Sequence, residues 1–175
     1  VAVGCAAQVD EFNSSIEGFL VLVFTTDIDF APEWAIEETL KVFDELKAPL
    51  TPFITHPSAI VKKHYDTPEK RRYVGLHPYT RRTLQGNGFK QIMHTLKGIW
   101  PEARTVRSHG YRTKMKEDAY LRKMGFQYDC NLCLLLQPYC TPLRHCSGMI
   151  RFPTWWEDDV YMAWKQPLRL DAIIK

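Results

Sequence analysis

Short apolar segments alternate along this chain with segments in which apolar residues recur every three or four positions. The first pattern predicts strands buried on both faces, and the second predicts helices that cover a sheet. The predicted strands are residues 19–24, 50–55, 73–76, 104–106, 126–136 (one strand or two), 149–152 and 168–174. The predicted helices begin near Pro32, Ser58, Phe89 and Glu117. Repeated strand and helix units favour a parallel sheet, closed into a barrel or left open.

Two stretches interrupt this alternation. Residues 66–72 are polar and are predicted to form a loop. Residues 137–147 contain proline and cysteine and are predicted to be irregular. The regular elements on either side therefore carry the fold.

Composition and charge narrow the function classes. The chain has 175 residues, 45% of them hydrophobic, which is enough to bury the core of one domain. Its 23 basic and 20 acidic residues give no reason to expect a nucleic-acid partner. No apolar run approaches the roughly 20 residues of a membrane span, and no signal-peptide pattern is visible. We therefore expect a cytoplasmic location, although the chain begins with Val1 and its N-terminus is compatible with a fragment.

The five cysteines raise the question of a zinc site. Cys130, Cys133, Cys140 and Cys146 resemble zinc ligands in their spacing, and His145 is adjacent. However, Cys133 opens an apolar run predicted to be a strand, on which it would point away from Cys130. We therefore predict buried thiols without a metal. An odd cysteine count also opposes a complete disulfide framework and favours a reducing compartment.

Two carboxylates follow the first predicted strand. Asp27 and Asp29 are two residues apart, so on an extended segment both would face one ion or one substrate. The alternative is that one of them caps the helix that begins at Pro32. A cap would leave the second carboxylate without a role.

Other reactive side chains also follow predicted strands. His56, His77, Arg107 and His109 occupy such positions. Because the carboxyl ends of parallel strands meet at one edge, we expect these residues to lie near the two aspartates. One aspartate and two imidazoles suit zinc or a similar divalent ion, and a second carboxylate would act as general base beside an arginine. A hydrogen-bonded structural role is the alternative for each histidine, above all for His56.

The motifs resemble those of the polysaccharide deacetylase superfamily (NodB homology, carbohydrate esterase family 4). The resembling segments are residues 25–32, 74–78, 106–110 and 155–159, the last as in divergent bacterial members associated with surface-polysaccharide gene clusters. The resemblance implies an α/β fold, namely a distorted (β/α) barrel of about seven strands with a parallel sheet and outer helices. It covers residues 19–175, which we predict to be the barrel domain after an N-terminal extension at residues 1–18.

The resemblance also implies an activity and roles for residues. The activity is metal-dependent removal of an N-acetyl group from a sugar or polysaccharide, with a divalent metal that we expect to be zinc. Asp27 corresponds to the catalytic base, Arg107 to the residue that orients it, and Asp29 and His77 to metal ligands. Further residues would line the pocket or support Arg107; these are His56, Tyr111, Trp155, Trp156, and one of Asp158 or Asp159.

Four features depart from the family's pattern, one of which is that the third motif lacks its usual proline, with Tyr111 one place late. The second motif usually has a histidine four positions after the first, where this chain has Arg81, so we predict that His109 supplies the second imidazole, with His56 as the alternative. Ile28 separates the two aspartates, which are usually adjacent. Residues 167–175 contain no histidine to act as general acid, so the chain stops short of the last motif, uses different chemistry or is inactive.

Two other functions remain open at this stage. One is a catalytically decayed barrel that binds polysaccharide or a protein partner, which the missing histidines favour. The other is a metal-dependent glycosyltransferase, which also uses two aspartates after an apolar strand to hold a metal and a diphosphate. That function predicts an earlier nucleotide-binding segment, for which only the first 18 residues or so are available.

Overall fold

The computed structural model describes residues 22–80, 84–137 and 140–163. The strands are β1 (Phe24–Asp27), β2 (Leu50–Ile54), β3 (Gly75–Leu76), β4 (Thr105–Val106), β5 (Tyr128–Asp129), β6 (Leu143–Arg144) and β7 (Ile150–Arg151). The helices are α1 (Glu33–Glu45), α2 (Ala59–His64), α3 (Pro68–Arg71), α4 (Phe89–Ile99), α5 (Met115–Lys123) and α6 (Asp158–Ala163), with a 3-10 turn at His109–Tyr111. In this part of the chain, no helix is long and apolar enough to cross a membrane.

The seven strands form one sheet in the order β1-β2-β3-β4-β5-β7-β6. Neighbouring strands are parallel except for β6 and β7, which are antiparallel. The predicted α/β class, with a mostly parallel sheet of seven strands, is confirmed. Over the described ranges the sheet is open, with β1 and β6 at its edges.

The hydrophobic core lies where the helices cover the sheet. Helix α1 contributes Ile36 and Leu40, and α4 contributes Ile92, Met93 and Leu96, all of them buried. These residues are spaced three or four positions apart, or adjacent, as one face of a helix requires. The two helices with the most regular spacing of apolar residues in the sequence, α1 and α4, therefore both pack on the core.

The first strand lies later in the chain than predicted. Its predicted range was 19–24, of which residues 19–21 lie outside the described part, and the structure places the strand at Phe24–Asp27. The apolar character of this segment is misleading, since Leu22 and Phe24 remain 46% and 40% exposed. The strand is instead defined by parallel pairing with the buried β2, in which Asp27 faces Phe53. Asp27 is consequently the last strand residue rather than the start of a loop.

Other predicted boundaries are also corrected. Residues 66–72 are not simply a loop, because Thr67 accepts a hydrogen bond from Lys70 N and caps the one-turn helix α3. In the predicted strand at 126–136, only Tyr128–Asp129 pairs regularly, and 137–147 contains the short strand β6. The predicted strand at 168–174 lies outside the described residues. The spacing of apolar residues therefore did not predict elements that are polar or only a few residues long.

The cysteines differ in burial. Cys130 is buried, as predicted, but Cys133 and Cys140 are only half-buried and Cys146 is exposed. The prediction of a buried thiol was wrong for these three. The reason for Cys133 is that residues 134–136 form no buried strand, and Cys133 makes only an isolated bridge to Thr154.

Gly75 of β3 lies directly against the ring of Phe53, which is fully buried. A Cβ at position 75 would lie 2.4 Å from Cδ1 and 2.5 Å from Cε1 of that ring. We expect Gly75→Ala to lower the free energy of unfolding by about 1–3 kcal/mol, because the ring must shift inside a close-packed core. Urea denaturation measures this effect. Gly98→Ala is the matched control: a Cβ there meets nothing within 4 Å and it lies inside α4, so it should be neutral or stabilising. Equal losses in both variants would contradict the packing argument.

Candidate active site

His77 and Arg107 directly follow β3 and β4 and continue the parallel ladder. The His77 backbone N donates to the carbonyl of Ile54 at 2.8 Å, and the Arg107 backbone N donates to the carbonyl of Leu76 at 3.0 Å. The ladder therefore holds both residues at the carboxyl edge of the sheet, where β1 ends with Asp27.

Arg107 and Asp27 form a close, largely buried ion pair. Nε and Nη2 of Arg107 donate to Oδ1 of Asp27 at 2.9 and 2.6 Å, and Nη1 donates to Thr25 Oγ1 at 2.8 Å. The guanidinium also lies 4.4 Å above the centre of the Phe53 ring. Burial is the largest single influence and lowers the pKa of Arg107, but the charge and hydrogen bonds of Asp27, together with Cys130 and Tyr111, outweigh it and leave that pKa raised. Arg107 thus fixes the orientation of the Asp27 carboxylate.

Asp29 reaches the same edge through a turn. The φ angles of Asp29 and Phe30 are 30° and 61°, a region that few residues other than glycine adopt. The expectation that Asp27 and Asp29 lie on one extended segment was therefore wrong. Both nevertheless flank one imidazole, since His77 Nδ1 lies 3.3 Å from Asp27 Oδ1 and His77 Nε2 lies 3.2 Å from Asp29 Oδ1.

His109 is held beside His77 by the loop that follows β3. Its backbone N donates to the carbonyl of Pro78 at 3.1 Å, and its ring packs edge-on against Tyr79 at 4.3 Å between centroids. Gly110, at a φ of 64°, allows the chain to turn immediately afterwards. Strand β3 and the loop after it therefore bring the imidazoles of His77 and His109 together.

Three potential ligand atoms converge at this point. Asp29 Oδ1 lies 3.2 Å from both His77 Nε2 and His109 Nδ1, and the two nitrogens lie 3.3 Å apart. A tetrahedral zinc ion with bonds of about 2.0–2.2 Å separates its ligand atoms by about 3.3–3.6 Å. The donor types and their spacing therefore fit a divalent ion, and this is the group of residues that could hold one in the described part of the chain.

The pKa of Asp29 lies below its ordinary value. The largest cause is its hydrogen bond with His77, which outweighs the opposing effect of burial, and His109 adds to the lowering. Asp29 is consequently ionised at neutral pH, which is the state a metal ligand requires.

His56 lies apart from the three converging ligands. Its Nδ1 is 2.9 Å from the hydroxyl of Thr55, and its ring stacks on Phe30 at 5.8 Å. The group that could hold a metal contains His109 and not His56. Of the two alternatives for a second imidazole, the geometry therefore favours His109.

The fourth motif, residues 155–159, contributes the half-buried Glu157. The hydroxyl of Tyr111 donates a hydrogen bond to the Glu157 carboxylate. Burial raises the pKa of Glu157 to about 7, while the hydrogen bond from Tyr111 and the charge of Arg107 oppose that rise. A carboxyl group that is half protonated near neutral pH is a candidate for proton transfer.

The other predicted residues of this motif have different surroundings. Asp158 and Asp159 are exposed and begin α6, so neither takes the half-buried place that Glu157 occupies. Trp155 is 37% exposed, and Trp156 packs against Tyr161 at 6.4 Å between ring centroids. A role of the two tryptophans in lining a sugar pocket stays a prediction.

Sequence reasoning missed two residues of the site. A threonine in a strand does not by itself indicate a functional role, yet the hydroxyl of Thr25 accepts a hydrogen bond from Arg107. Glu157 was passed over in favour of its two acidic neighbours, and sequence alone offers no way to distinguish three consecutive acids. In the structure, Glu157 immediately precedes α6 and is the half-buried one of the three.

A parallel α/β sheet with acids, imidazoles and an arginine gathered at its carboxyl edge defines an enzyme-like protein of the α/β class. The profile of the WbmS-like polysaccharide deacetylase family matches residues 24–174. The chain belongs to this family, and the resemblance inferred from its motifs is confirmed.

One solved structure shares the fold. It is that of a proposed polysaccharide deacetylase, WbmS, involved in O-antigen biosynthesis in Bordetella bronchiseptica, with 24% identity, a TM-score of 0.74 and 85% of this chain covered. A weaker match is a proposed polysaccharide deacetylase from Mycobacterium smegmatis, with 19% identity, a TM-score of 0.46 and 77% of this chain covered. The chain spans 63% and 58% of the lengths of these two proteins. A comparison with curated proteins finds no significant match.

Proposed function

We propose that this protein is a metal-dependent hydrolase that removes an N-acyl group, such as acetyl, from an amino sugar of a polysaccharide. The observation that carries the proposal is the convergence of Asp29, His77 and His109 beside the Asp27 and Arg107 pair. Membership of a polysaccharide deacetylase family supports a carbohydrate substrate. Because WbmS is described as acting in O-antigen biosynthesis, a surface polysaccharide or its precursor is the substrate class to test first.

The residues present would divide the chemistry between them. Asp29, His77 and His109 would hold the ion, which when bound lowers the pKa of water and polarises the amide carbonyl. Asp27 would accept a proton from the attacking water, because its carboxylate is oriented by Arg107 and adjoins the ligand His77. The carbonyl carbon would gain the hydroxyl, and the amide C–N bond would break.

The decayed-barrel alternative predicts that the metal position has lost its second imidazole. Position 81, where the family usually places that histidine, lies outside the described residues. His109 nevertheless supplies an imidazole nitrogen 3.3 Å from that of His77, which supports a working site rather than a decayed one. Family membership gives no support to the glycosyltransferase alternative.

Metal binding is the experiment that tests this proposal. We expect the protein to bind zinc in a 1:1 ratio, and His109→Gln to weaken binding by at least about 100-fold because one of three protein ligands is lost. Isothermal titration calorimetry and metal analysis measure both quantities. His94→Gln is the matched control, since His94 is exposed on α4 and bonds to Tyr120 at 2.9 Å.

The same proteins are then assayed for acetate release from N-acetylglucosamine oligomers. Activity should require added zinc and be lost with His109→Gln but not with His94→Gln. Failure of the wild-type protein to bind zinc, or equal binding by both variants, would contradict the proposal and favour the decayed barrel.

A further inference from the structure

Tyr111, four residues after Arg107, is hydrogen-bonded to Glu157. Tyr111 ends the 3-10 turn that begins at His109, and it has a φ of 57°, which is unfavourable for a tyrosine. Glu157 immediately precedes α6. The bond between them therefore joins the loop carrying a proposed metal ligand to the fourth motif. Backbone strain of this kind persists where surrounding contacts hold the residue in place.

Several charged and titratable groups face Glu157. Arg107 and Tyr111 come from the segment after β4, Asp27 from β1, Cys133 from the segment after β5, and Asp159 from its own helix. Burial is the largest influence on the Glu157 carboxyl and favours its protonated form, as do the charges of Asp159 and Asp27. Tyr111 lies four residues after Arg107 and two after His109, so its hydrogen bond brings Glu157 to the loop that carries these two residues.

Hydrolysis of an unactivated amide requires a proton donor as well as a base, because an amine leaves poorly as an anion. The imidazoles of His77 and His109 both face Asp29. Asp27 is bound by Arg107, and His56 is bound to Thr55 and lies apart. Glu157, whose partner Tyr111 lies two residues after His109, is a half-buried carboxyl that serves neither as base nor as ligand.

We propose that Glu157 is the proton donor for the departing amine nitrogen, with Tyr111 as the positioning residue that orients its carboxyl group. This inference rests on the proposed hydrolase function. Asp27 takes one proton from water, the hydroxyl bonds to the carbonyl carbon, and Glu157 gives its proton to nitrogen as the C–N bond breaks. The products are a carboxylic acid and an amine, and the proton on Asp27 returns through solvent to Glu157.

The test compares two leaving groups. N-acetylglucosamine oligomers need a proton on nitrogen, whereas 4-nitrophenyl acetate releases a stable phenolate that does not. We expect Glu157→Gln to lower kcat on the amide by about 10²–10⁴-fold and to leave the ester rate within about 3-fold of wild type. Glu45→Gln, an exposed Glu on α1, is the matched control and should change neither rate.

The pH dependence of amide hydrolysis is a second test, because a purely structural role of Glu157 would not change it. Only protonated Glu157 can donate, so wild-type amide activity should fall as the pH rises through about 7, the raised pKa of this carboxyl. Tyr111→Phe removes a hydrogen bond that lowers this pKa, so the fall should move to higher pH. NMR of protein labelled with ¹³C at glutamate carboxyls should show one group titrating near that pH, absent from Glu157→Gln.

The outcomes separate this inference from the proposed function. If the wild-type protein hydrolyses the amide but Glu157→Gln loses amide and ester rates equally, Glu157 is structural and the inference is wrong. The same holds if the variant keeps the alkaline fall, or if the Glu157 carboxyl titrates near its ordinary value of 4.5. A wild-type protein without zinc binding or hydrolysis overturns the proposed function itself, and this inference with it.

Discussion

Replacing Asp27 by asparagine should lower kcat for amide hydrolysis by about 10²–10⁴-fold while leaving zinc affinity within a few-fold of wild type. The asparagine amide keeps the shape of the side chain but cannot accept the proton from water. The three ligand atoms come from Asp29, His77 and His109, so the metal site should remain intact. Steady-state kinetics and calorimetric zinc titration on the same preparations measure the two effects.

Asp29→Asn provides the contrast for this prediction. It replaces a charged carboxylate ligand by a neutral amide, so zinc affinity and activity should fall together. Asp44→Asn, at an exposed position on α1, is the neutral control. If Asp27→Asn also abolishes zinc binding, Asp27 is a ligand and the roles assigned to the two aspartates are wrong.

Arg107→Met should lower the free energy of unfolding by about 3–5 kcal/mol. Arg107 is 5% exposed, and its removal would leave the Asp27 carboxylate largely buried without its cationic partner. The charge and both donors to Asp27 are lost, whereas the methionine retains much of the apolar contact with Phe53. Urea denaturation at neutral pH measures the loss.

A double variant shows whether the unpaired carboxylate is the cause. Arg107→Met combined with Asp27→Leu removes both charges, so it should be more stable than Arg107→Met alone. Arg144→Met replaces an exposed arginine of β6 and should cost little. Additive losses in the double variant would mean that the ion pair contributes nothing specific to stability.

Residues with strong local patterns could be placed from sequence. Helices α1 and α4 follow from their apolar spacing, and His77 and Arg107 were placed at the sheet edge because each follows a short predicted strand. The parallel ladder makes this kind of inference reliable, since a residue that directly follows a strand lies at a known edge. This argument needs no knowledge of side-chain contacts.

Positions set by tertiary contacts could not be placed in this way. The turn at Asp29 and Phe30 depends on two positive φ angles and on a bond from Phe30 N to Thr55 Oγ1, which no periodicity encodes. Glu157 takes its hydrogen bond from Tyr111, 46 residues earlier in the chain. Both features arise where segments distant in the chain meet, so the local sequence pattern cannot predict them.

The ring of Phe53 lies against both Gly75 and the Arg107 guanidinium. A fully buried side chain therefore also supports the residue that orients the proposed base. Selection acting on either property would constrain the same ring, so turnover and heat resistance should not evolve independently at this position. Engineering that repacks the interior of this protein for stability would need to leave Phe53 and Gly75 unchanged, whereas the outer faces of α1 and α4 are open to variation.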